Sequence, residues 1–377
     1  SLKEAKTIKD AKVARNPFKP TAGANPPLLV GRDVLVEEFL ESIEDGPGAP
    51  GRITIFTGPR GIGKTVMLNT VAERVQSDHQ WLVIDETATT GFVNRLTAAS
   101  RVLLDPEAAT RRRVKAVTLP AQLGGFELSD DPARPIGLRE AAGALARRCE
   151  ENGTGLLVTL DEVHSSSRDE LRQFATAVQH LIREDREIAV AFAGLPAAVT
   201  ELLNDEVTTF LRRAERHVLS DVPLAEASRA LAETITANGR RIDPDALAVA
   251  ARATGGYPFM IQLVGYQVWR KASGDHIDAE AARVGVEAAR ARLGSLVHET
   301  ALAELSGVDR AFLSAMAHDD GPSRLQAIAG RLGKGLNYVS VYRARLLEAG
   351  MIAAAGRGKV DFAIPFLREY LREHAPE

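Results

Sequence analysis

The sequence predicts an α/β domain with a parallel sheet, followed by a small helical domain and a third domain that ends in a β-hairpin. Three observations support this fold class. Short apolar runs at 53–56, 81–85 and 188–193 alternate with amphipathic segments of helical length, as in parallel sheets that helices cover on both faces. Helical periodicity without strands then fills residues 224–296. Residues 308–364 give helices followed by two short β-like runs around a glycine turn.

Length and composition are typical of a globular protein with several domains. The chain has 377 residues, 45% of them hydrophobic, and a formal net charge of −3, so any nucleic-acid surface must be local. Cys149 is the only cysteine, which excludes an internal disulfide and a cysteine-rich zinc site. The sequence has no apolar run of membrane-spanning length and no secretory signal pattern at its polar, basic start. We therefore expect a cytoplasmic protein without a membrane partner.

The chain is predicted to contain four segments. They are an N-terminal tail at 1–27, the α/β core at 28–220, a helical lid domain at 221–300 and the C-terminal domain at 301–377. Four prolines in the tail prevent a regular helix there. The core begins with a helix from Asp33 to Ile43, for which Asp33 is the predicted N-cap. A turn rich in glycine and proline follows at 44–51.

The most informative stretch is ITIFTGPRGIGKT, residues 53–65. It joins a buried strand, a glycine-rich turn and a helix start, and it fits G-x-x-x-x-G-K-[ST], the phosphate-binding loop. Glycines let successive backbone N–H groups face a phosphate, and the helix N-terminus adds positive potential. Lys64 is predicted to contact the β- and γ-phosphates of ATP, and Thr65 to bind Mg²⁺. The predicted nucleotide-contacting residues here are Gly58, Pro59, Arg60, Gly61, Ile62, Gly63, Lys64, Thr65 and Val66.

A second strand at 81–85 and a helix at 89–104 continue the core. A basic cluster follows at 111–115, and short β-like runs near 123–126 predict a hairpin inserted in the core fold. This insertion is either an exposed surface feature or a contact with nucleic acid or another partner, since basic residues attract phosphate.

Two acids, Asp161 and Glu162, end the apolar run GLLVTLDE. A solvated strand end is the ordinary interpretation of such a pair. Here, however, the run follows a phosphate-binding loop and an intervening strand. In that context Asp161 is predicted to hold Mg²⁺, and Glu162 to align and polarise the water that attacks the γ-phosphate.

The rest of the core and the lid domain show helical patterns with one further strand. The predicted core elements are helices at 136–152, 169–184 and 196–203 and a strand at 188–193. The predicted lid comprises four helices: one at 224–238, one that begins at Pro244, one that runs through Trp269 and one at 279–296. Asp243 and Pro244 are the predicted cap and first residue of the second lid helix. Glycines at 255 and 256 separate it from the next helix.

The C-terminal domain is predicted to be a winged helix, a relative of the helix-turn-helix. Helices at 308–317, 323–332 (with Ser323 as cap) and 337–349 precede two short strands around the turn Gly356-Arg357-Gly358. Between residues 323 and 360 there are seven basic residues and one acid, Glu348, which is typical of a DNA contact. The predicted contacts to double-stranded DNA are Arg324, Asn337, Tyr338, Ser340, Tyr342, Arg343, Arg357 and Lys359. The alternative is a winged helix that contacts protein or packs on the core.

Taken together, these motifs resemble an AAA+-type ATPase. The phosphate-binding loop, the strand ending in Asp-Glu, the helical lid and the basic winged helix are similar to those of the initiator and origin-recognition clade and of the STAND-type ATPases. The stretches NPFKPTAGANPPLLVGRD and GGYPF resemble those of actinobacterial ATP-binding proteins. The resemblance implies that Val30, Gly31 and Arg32 line the adenine pocket. It also makes strand 188–193 the sensor-1 strand, and Pro258 similar to the nucleotide-contacting proline of STAND proteins.

Two positions depart from the AAA+ pattern. Members of that class usually end the sensor-1 strand with Asn, Thr or Ser, whereas this chain has Ala193 and Gly194. No arginine follows soon after Pro258, where AAA+ lids carry sensor 2. Both departures favour slow hydrolysis and a nucleotide-switched protein over a continuously cycling motor.

The arginines Arg212, Arg213 and Arg216 follow the sensor-1 strand. By the resemblance, Arg213 or a neighbour could reach the γ-phosphate of an adjacent subunit in a homo-oligomer. Such a finger raises hydrolysis by roughly 10³- to 10⁵-fold. The alternative is a solvated basic helix face.

Two functions of different classes follow from the sequence. The first is a Mg²⁺-dependent ATPase, binding ATP and ADP, whose winged helix binds duplex DNA. The second is a STAND-type switch in which nucleotide changes the packing of lid and winged helix, and the partner is another protein. A metabolic kinase fits less well, because it would leave the lid and winged helix without a role.

Overall fold

A computed structural model of the chain describes residues 15–21, 26, 31–104, 113–115, 137–204, 209–303 and 305–374; for 113–115 and Thr209 it describes the backbone alone. The chain divides into two compact units. One comprises residues 32–220 and 304–377, and the other comprises residues 1–31 and 221–303.

Among the residues described, six parallel strands form the sheet of the first unit. They are β1 (Ile53–Thr57), β2 (Leu82–Thr87), β3 (Arg113–Lys115), β4 (Leu156–Asp161), β5 (Ile188–Gly194) and β6 (Glu215–Val218). Their order across the sheet is β3-β2-β4-β5-β1-β6. This order places β1, which leads into the phosphate-binding loop, beside β5, and β5 beside β4. The carboxyl ends of these strands therefore meet at one edge of the sheet.

In the described part of this unit, six α-helices accompany the sheet. They are α1 (Asp33–Glu44), α2 (Lys64–His79), α3 (Phe92–Leu104), α4 (Leu138–Glu151), α5 (Arg168–Arg183) and α6 (Pro196–Asn204). Every residue of β5 is buried, as expected of a strand covered on both faces. Phe174 on α5 meets Phe92 and Phe192 edge to face, with ring centroids 5.9 and 5.8 Å apart. Buried apolar contacts of this kind fix the helices on the sheet and so fix the strand ends.

Two details of the core differ from the sequence prediction. Asp33 is the first helical residue of α1 rather than its N-cap, which is Arg32. Strand β6 was not predicted, because three of its four residues are exposed at a sheet edge and it carries no apolar run. The predicted hairpin at 111–127 lies outside the described residues apart from β3. That segment pairs in parallel with β2.

Helices dominate the second unit. They are α7 (Leu224–Ala237), α8 (Pro244–Thr254), α9 (Pro258–Lys271), α10 (Ala279–Leu293) and α11 (Glu299–Ala303), with a π-helical turn at Gly294–His298 and a parallel pair of two-residue strands, β7 (Arg241–Ile242) and β8 (His276–Ile277). As predicted, Asp243 occupies the N-cap of α8 and Pro244 its first turn. Gly255 and Gly256 both have positive φ and separate α8 from α9.

The third group of elements, residues 305–374 of the first unit, is called the C-terminal module here. It contains α12 (Gly307–Ala317), β9 (Ser323–Arg324), α13 (Leu325–Leu332), α14 (Leu336–Glu348), β10 (Ile352–Ala354), β11 (Lys359–Phe362) and α15 (Leu367–Glu373). The three strands form an antiparallel sheet in the order β10-β11-β9. Ser323 is therefore not a helix cap, as predicted, but a buried strand residue. Its hydroxyl donates to the Met316 carbonyl at 3.3 Å.

The C-terminal module packs against the core of its own unit. Helix α14 contacts α6, and Gly350, just after α14, lies against Leu195 at the end of β5. A β-carbon at Gly350 would be 3.1 Å from both δ-carbons of Leu195. Gly350 has a φ of +66°, which favours glycine. The segment that joins β5 to α6 is thus in direct contact with the end of α14.

None of the helices in the described ranges is long and apolar enough to cross a membrane.

Candidate functional site

The glycines of the phosphate-binding loop are required by its backbone. Between β1 and α2 the chain passes through Gly58, Gly61 and Gly63, whose φ values are +156°, +70° and +92°. A β-carbon at Gly58 would lie 2.7 Å from the Leu219 carbonyl oxygen. Only glycine fits this close approach, so the loop can keep its curvature and direct its N–H groups inward.

Lys64 is held on its own loop. Its half-buried ammonium donates to the carbonyls of Gly58 at 2.9 Å and Pro59 at 2.8 Å. Burial lowers the pKa of Lys64 from 10.5 to about 8, against the raising effect of Asp161 and Glu162. Removing an ammonium from water disfavours its charge, and a polyphosphate placed beside it would restore that charge. The site is therefore electrostatically prepared for an anion.

The two predicted Mg²⁺ ligands meet across the sheet edge. The Thr65 hydroxyl, in the first turn of α2, donates to Asp161 Oδ2 at 2.6 Å, and Asp161 lies at the end of β4. A hydroxyl and a carboxylate are hard oxygen donors. Mg²⁺ typically takes one or two such protein ligands together with water and phosphate oxygens. The donor set therefore fits Mg²⁺.

Glu162 has an unusual backbone conformation. Its φ and ψ are 53° and 45°, in the left-handed region, and its side chain is exposed. Its N–H donates to Asp161 Oδ1 at 2.8 Å. A non-glycine residue in this region costs of order 1 kcal/mol and is often found at functional sites. This conformation lies directly between β4 and the 3₁₀ turn that follows it.

A short 3₁₀ turn at Val163–Ser165 follows Glu162 and packs on the end of β5. Val163 is buried, and a β-carbon at Gly194 would be 2.4 Å from its Cγ2. The half-buried His164 comes next, and its Nδ1 is buried without a hydrogen-bond partner in the described part of the chain. Burial lowers its pKa. The sequence offered no periodic or motif signal that would have singled out His164 in advance.

The residues assigned to the adenine pocket divide between the two units. Arg32 is buried; it donates to the Ser220 carbonyl at 3.1 Å, and its guanidinium lies 2.9 Å from where a β-carbon of Gly63 would be. Arg32 is therefore beside the phosphate-binding loop. Gly31 has a φ of +66°, and Pro258 begins α9 in the second unit. Val30 lies outside the described residues.

The arginines proposed as fingers are not on a helix face. Arg212 and Arg213 end a 3₁₀ turn at Thr209–Arg213, and Arg216 is in the edge strand β6. All three arginines are exposed, and Arg212 donates to the Leu203 carbonyl at 2.8 Å. The predicted alternative of a solvated helix face is corrected to a turn and an edge strand.

The structure brings three predicted DNA-contacting residues together at the hairpin of the C-terminal module. Lys359 on β11 is paired directly with Arg324 on β9, and Arg357 is in the turn before β11. Arg324 and Arg357 are exposed and Lys359 is half-buried. These three residues are called the basic hairpin cluster. Like charges placed opposite each other on neighbouring strands are destabilising, so the fold does not gain stability from this arrangement.

Helix α14 has a mixed surface. Asn337, Tyr338 and Ser340 are exposed, whereas Tyr342 and Arg343 are half-buried. The rings of Tyr338 and Tyr342 have centroids 4.9 Å apart.

The local charge of the C-terminal module is smaller than the sequence count suggested. Arg331 forms an ion pair with Asp319, with Nη1 2.8 Å from Oδ2, and Arg345 pairs with the buried Asp309 at 3.1 Å. Both acids lie before residue 323, outside the window in which basic residues were counted. Arg331 and Arg345 therefore form ion pairs within the module.

Sequence reasoning also missed a buried ion pair at the end of β2. Glu86 is buried and accepts from Arg95 on α3, with Nη2 3.0 Å from Oε1. Arg95 further donates to the Thr87 carbonyl at 3.1 Å and to the Thr89 hydroxyl at 2.8 Å. This network fixes the loop after β2. Glu86 lies in an otherwise ordinary strand sequence, so no local pattern indicated the ion pair.

Comparison with known families agrees with this geometry. Residues 28–191, which include the loop, Lys64, Thr65, Asp161 and Glu162, match the model of the AAA ATPase domain. The match supports an AAA-type P-loop ATPase domain in this segment. Residues 295–371 match a separate model, Domain of unknown function (DUF8462). No curated protein matches the chain.

Solved structures support the fold of the ATPase domain and its neighbours in the chain. The Walker-type ATPase PABY2304 of Pyrococcus abyssi is 16% identical over 91% of this chain and 96% of its own, with a TM-score of 0.63. The ORC2 protein of Aeropyrum pernix, in ADPNP-ADP complexes, is 16% identical over 97% of both chains, with a TM-score of 0.61. At this identity the likeness concerns the fold alone.

Proposed function

We propose that the protein is a Mg²⁺-dependent, slowly hydrolysing ATPase whose nucleotide state controls a C-terminal winged helix that binds double-stranded DNA. The observation that carries the ATPase part is the contact between Thr65 and Asp161 at 2.6 Å. It joins the helix after the phosphate-binding loop to the end of β4, so the residues predicted to bind nucleotide, metal and water share one site.

The residues of this chain have separate tasks in the proposed reaction. The loop N–H groups and Lys64 bind and orient the β- and γ-phosphates. Thr65 and Asp161 would hold Mg²⁺, which neutralises charge on the phosphate oxygens when bound. Glu162 accepts a hydrogen bond from the attacking water and so aligns it. Arg32, beside the phosphate-binding loop in the same unit, is proposed to contact the nucleotide as well.

Slow hydrolysis is proposed because β5 supplies no polar side chain at its end. Ala193 is buried and Gly194 is covered by Val163. A water in that region would lose one of the hydrogen bonds that usually orient it. The domain would then remain in its ATP-bound state for long periods, as suits a protein that acts through its nucleotide state.

The proposal of DNA binding rests on the basic hairpin cluster. Its unfavourable pairing of Arg324 with Lys359 would be relieved by a phosphate anion lying between or beside the two side chains. The order of three helices and a hairpin supports the assignment of a winged helix, with α14 as the helix that faces the groove. Asn337 and Ser340 are exposed there and can reach base edges, and Tyr338 can reach a phosphate.

Control by nucleotide is proposed to pass through Leu195. This residue directly follows β5, which lies between the strands carrying Asp161 and the phosphate-binding loop, and it contacts Gly350 at the end of α14. A shift at the end of β5 would therefore reach α14 without an intermediate element. Such coupling requires that nucleotide favours one of two arrangements.

The test is a fluorescence-anisotropy titration of a labelled duplex at several salt concentrations, with ATP or ADP present. Arg357→Ala and Lys359→Ala should each lower the slope of log affinity against log salt by about one unit. Arg252→Ala is the matched control, since Arg252 is exposed on α8, outside the C-terminal module. A wild-type protein that binds no duplex in either nucleotide state would refute the DNA part.

A second candidate is a nucleotide switch whose C-terminal module binds a protein. The observation that favours it is the apolar exposure of α14, where Leu336 is 46%, Val341 59% and Tyr338 38% exposed. Exposed large apolar side chains on one element are common in protein-binding surfaces. Nucleotide-dependent change in hydrodynamic size without DNA binding would support this candidate.

The proposed arginine finger would require a homo-oligomer. Arg213 is exposed near the edge strand β6, where a neighbouring subunit could approach. Hydrolysis per subunit that rises with protein concentration, and that Arg213→Ala abolishes, would support this role. Concentration-independent turnover would contradict it.

A further inference from the structure

The end of β5 has no room for the side chain that would usually orient water there. Val163 is 2% exposed, and its Cγ2 would be 2.4 Å from a β-carbon at Gly194. Ala193, the preceding residue, is fully buried. The turn at Val163–Ser165 therefore occupies the space beside the strand end. The turn is therefore an element that could supply a polar group at this position.

The turn has two polar side chains, the exposed Ser165 and the half-buried His164, and His164 is the one with a buried polar atom that lacks a partner among the residues described. That atom is Nδ1, which is shielded from solvent. Buried polar atoms are nearly always hydrogen-bonded, and an exception asks for an explanation. A bound water or phosphate oxygen would satisfy this nitrogen.

The charges around His164 are those of the nucleotide site. Glu162, Arg60, Lys64 and Asp161 all interact electrostatically with the imidazole. Burial lowers the pKa of His164 from 6.5, and the two cations lower it further, against the two acids. The ring is therefore neutral at physiological pH. A neutral imidazole can accept one hydrogen bond and donate another.

We propose that His164 is a catalytic residue of the ATPase site and hydrogen-bonds the water that attacks the γ-phosphate. It thereby replaces the polar side chain that β5 lacks. Glu162, two residues earlier, accepts from the same water, and the two contacts fix its direction. This inference rests on the proposed ATPase function, because it assigns a role within that reaction.

The test compares His164→Leu and His164→Asn in single-turnover hydrolysis, ATP binding and thermal unfolding without nucleotide. His164→Leu should lower the hydrolysis rate by roughly 100-fold, the lower end of the range of about 10²- to 10⁴-fold for one positioned polar group. ATP affinity should change less than about twofold, because the contact forms with water rather than nucleotide. His164→Asn places an amide near the position of Nδ1 and should recover most of the rate.

Thermal unfolding distinguishes this role from a structural one. Because Nδ1 is buried without a partner, leucine should leave the Tm of the nucleotide-free protein unchanged or raise it. A structural histidine would instead lose stability in both variants. His318→Leu, at an exposed position of the C-terminal module, is the control for a generic histidine substitution.

Three outcomes would overturn the inference. The first is normal turnover by His164→Leu. The second is loss of rate that follows loss of Tm in both variants. The third is a wild-type protein that binds ATP tightly yet never hydrolyses it, which would refute the hydrolysis proposed above and this role together. Failure to bind ATP at all would instead refute the nucleotide site.

Discussion

The phosphate-binding site and the basic surface of the C-terminal module hold their charged groups in different ways. At the phosphate-binding site, functional groups contact one another. Lys64 donates a hydrogen bond to a carbonyl of its own loop, and the Thr65 hydroxyl donates to Asp161. On the C-terminal module, Arg331 and Arg345 are bound to acids of the same fold, and the basic hairpin cluster remains with like charges side by side. The phosphate-binding site is therefore defined by contacts among its own functional groups. The basic surface is defined by the like charges of the basic hairpin cluster.

This difference has a consequence for mutagenesis. Substitutions in the phosphate-binding site should remove either ATP binding or ATP hydrolysis, so that the two can be measured separately. Substitutions on the C-terminal module should divide into those that weaken the fold and those that weaken a partner contact. The predictions below test that division, beginning with the largest effect.

Lys64→Ala should abolish the stabilisation of the protein by ATP. The ammonium carries the main positive charge directed at the β- and γ-phosphates, so its removal leaves the anion uncompensated. Wild-type protein should gain about 2.7 kcal/mol at an ATP concentration 100 times its Kd, and the variant should gain almost nothing. Differential scanning fluorimetry measures this.

The control for this experiment is Lys359→Ala, which removes one cation of the C-terminal module and should leave ATP stabilisation intact. A normal rise of Tm with ATP in Lys64→Ala would mean that the phosphate-binding loop is not where ATP binds.

Glu162→Gln should retain ATP binding and lose turnover. The amide keeps the size of the side chain but no longer accepts a proton or polarises the water, and general-base groups contribute roughly 10²- to 10⁴-fold. Single-turnover hydrolysis with labelled ATP, alongside the binding titration, measures both effects. Turnover equal to that of the wild type would exclude Glu162 as the residue that aligns the water.

Asp319→Asn should have the smallest effect and should act on the fold rather than on a ligand. The hydrogen bond from Arg331 lowers the pKa of Asp319 from 3.8 to about 2. Because the folded-state pKa is depressed, the ion pair stabilises the module above about pH 4 and this contribution disappears as pH falls towards 2. A partly exposed pair of this kind is worth about 1 kcal/mol or less.

Acid titration of unfolding, followed by circular dichroism, tests this assignment. The wild type and Asp319→Asn should differ in stability at pH 7 and converge near pH 2. If the variant instead keeps its stability and alters the affinity for a ligand, Arg331 and Asp319 belong to a binding surface and the division drawn above is wrong.

The sequence allowed the loop between β1 and α2 and the end of β4 to be placed correctly because their signals are local. The glycine spacing before Lys64 and the apolar run before Asp161 each fix a strand end, and parallel strands bring those ends together. The contact between Thr65 and Asp161 is long-range, but the motif implies it. His164 was missed because its burial depends on how the turn at 163–165 packs against β5, which no spacing records.

The C-terminal surface was predicted less well because charge counts ignore tertiary partners. Arg331 and Arg345 lie in the basic stretch, but Asp319 and Asp309 come from other parts of the module. Likewise Ser323 resembles a helix cap, yet it pairs with β11 because the hairpin folds back on it. Strand β6 had no apolar run to mark it, since it lies at the sheet edge.

The central claim is that one nucleotide site controls one DNA-binding module. The most direct measurement is ATP hydrolysis by the purified protein with and without duplex DNA, with Glu162→Gln as the background control. The account predicts slow turnover that duplex DNA changes several-fold, and loss of that change when Arg357 and Lys359 are replaced by alanine. Turnover that is indifferent to DNA at every salt concentration would contradict the claim and favour a switch that acts on a protein partner.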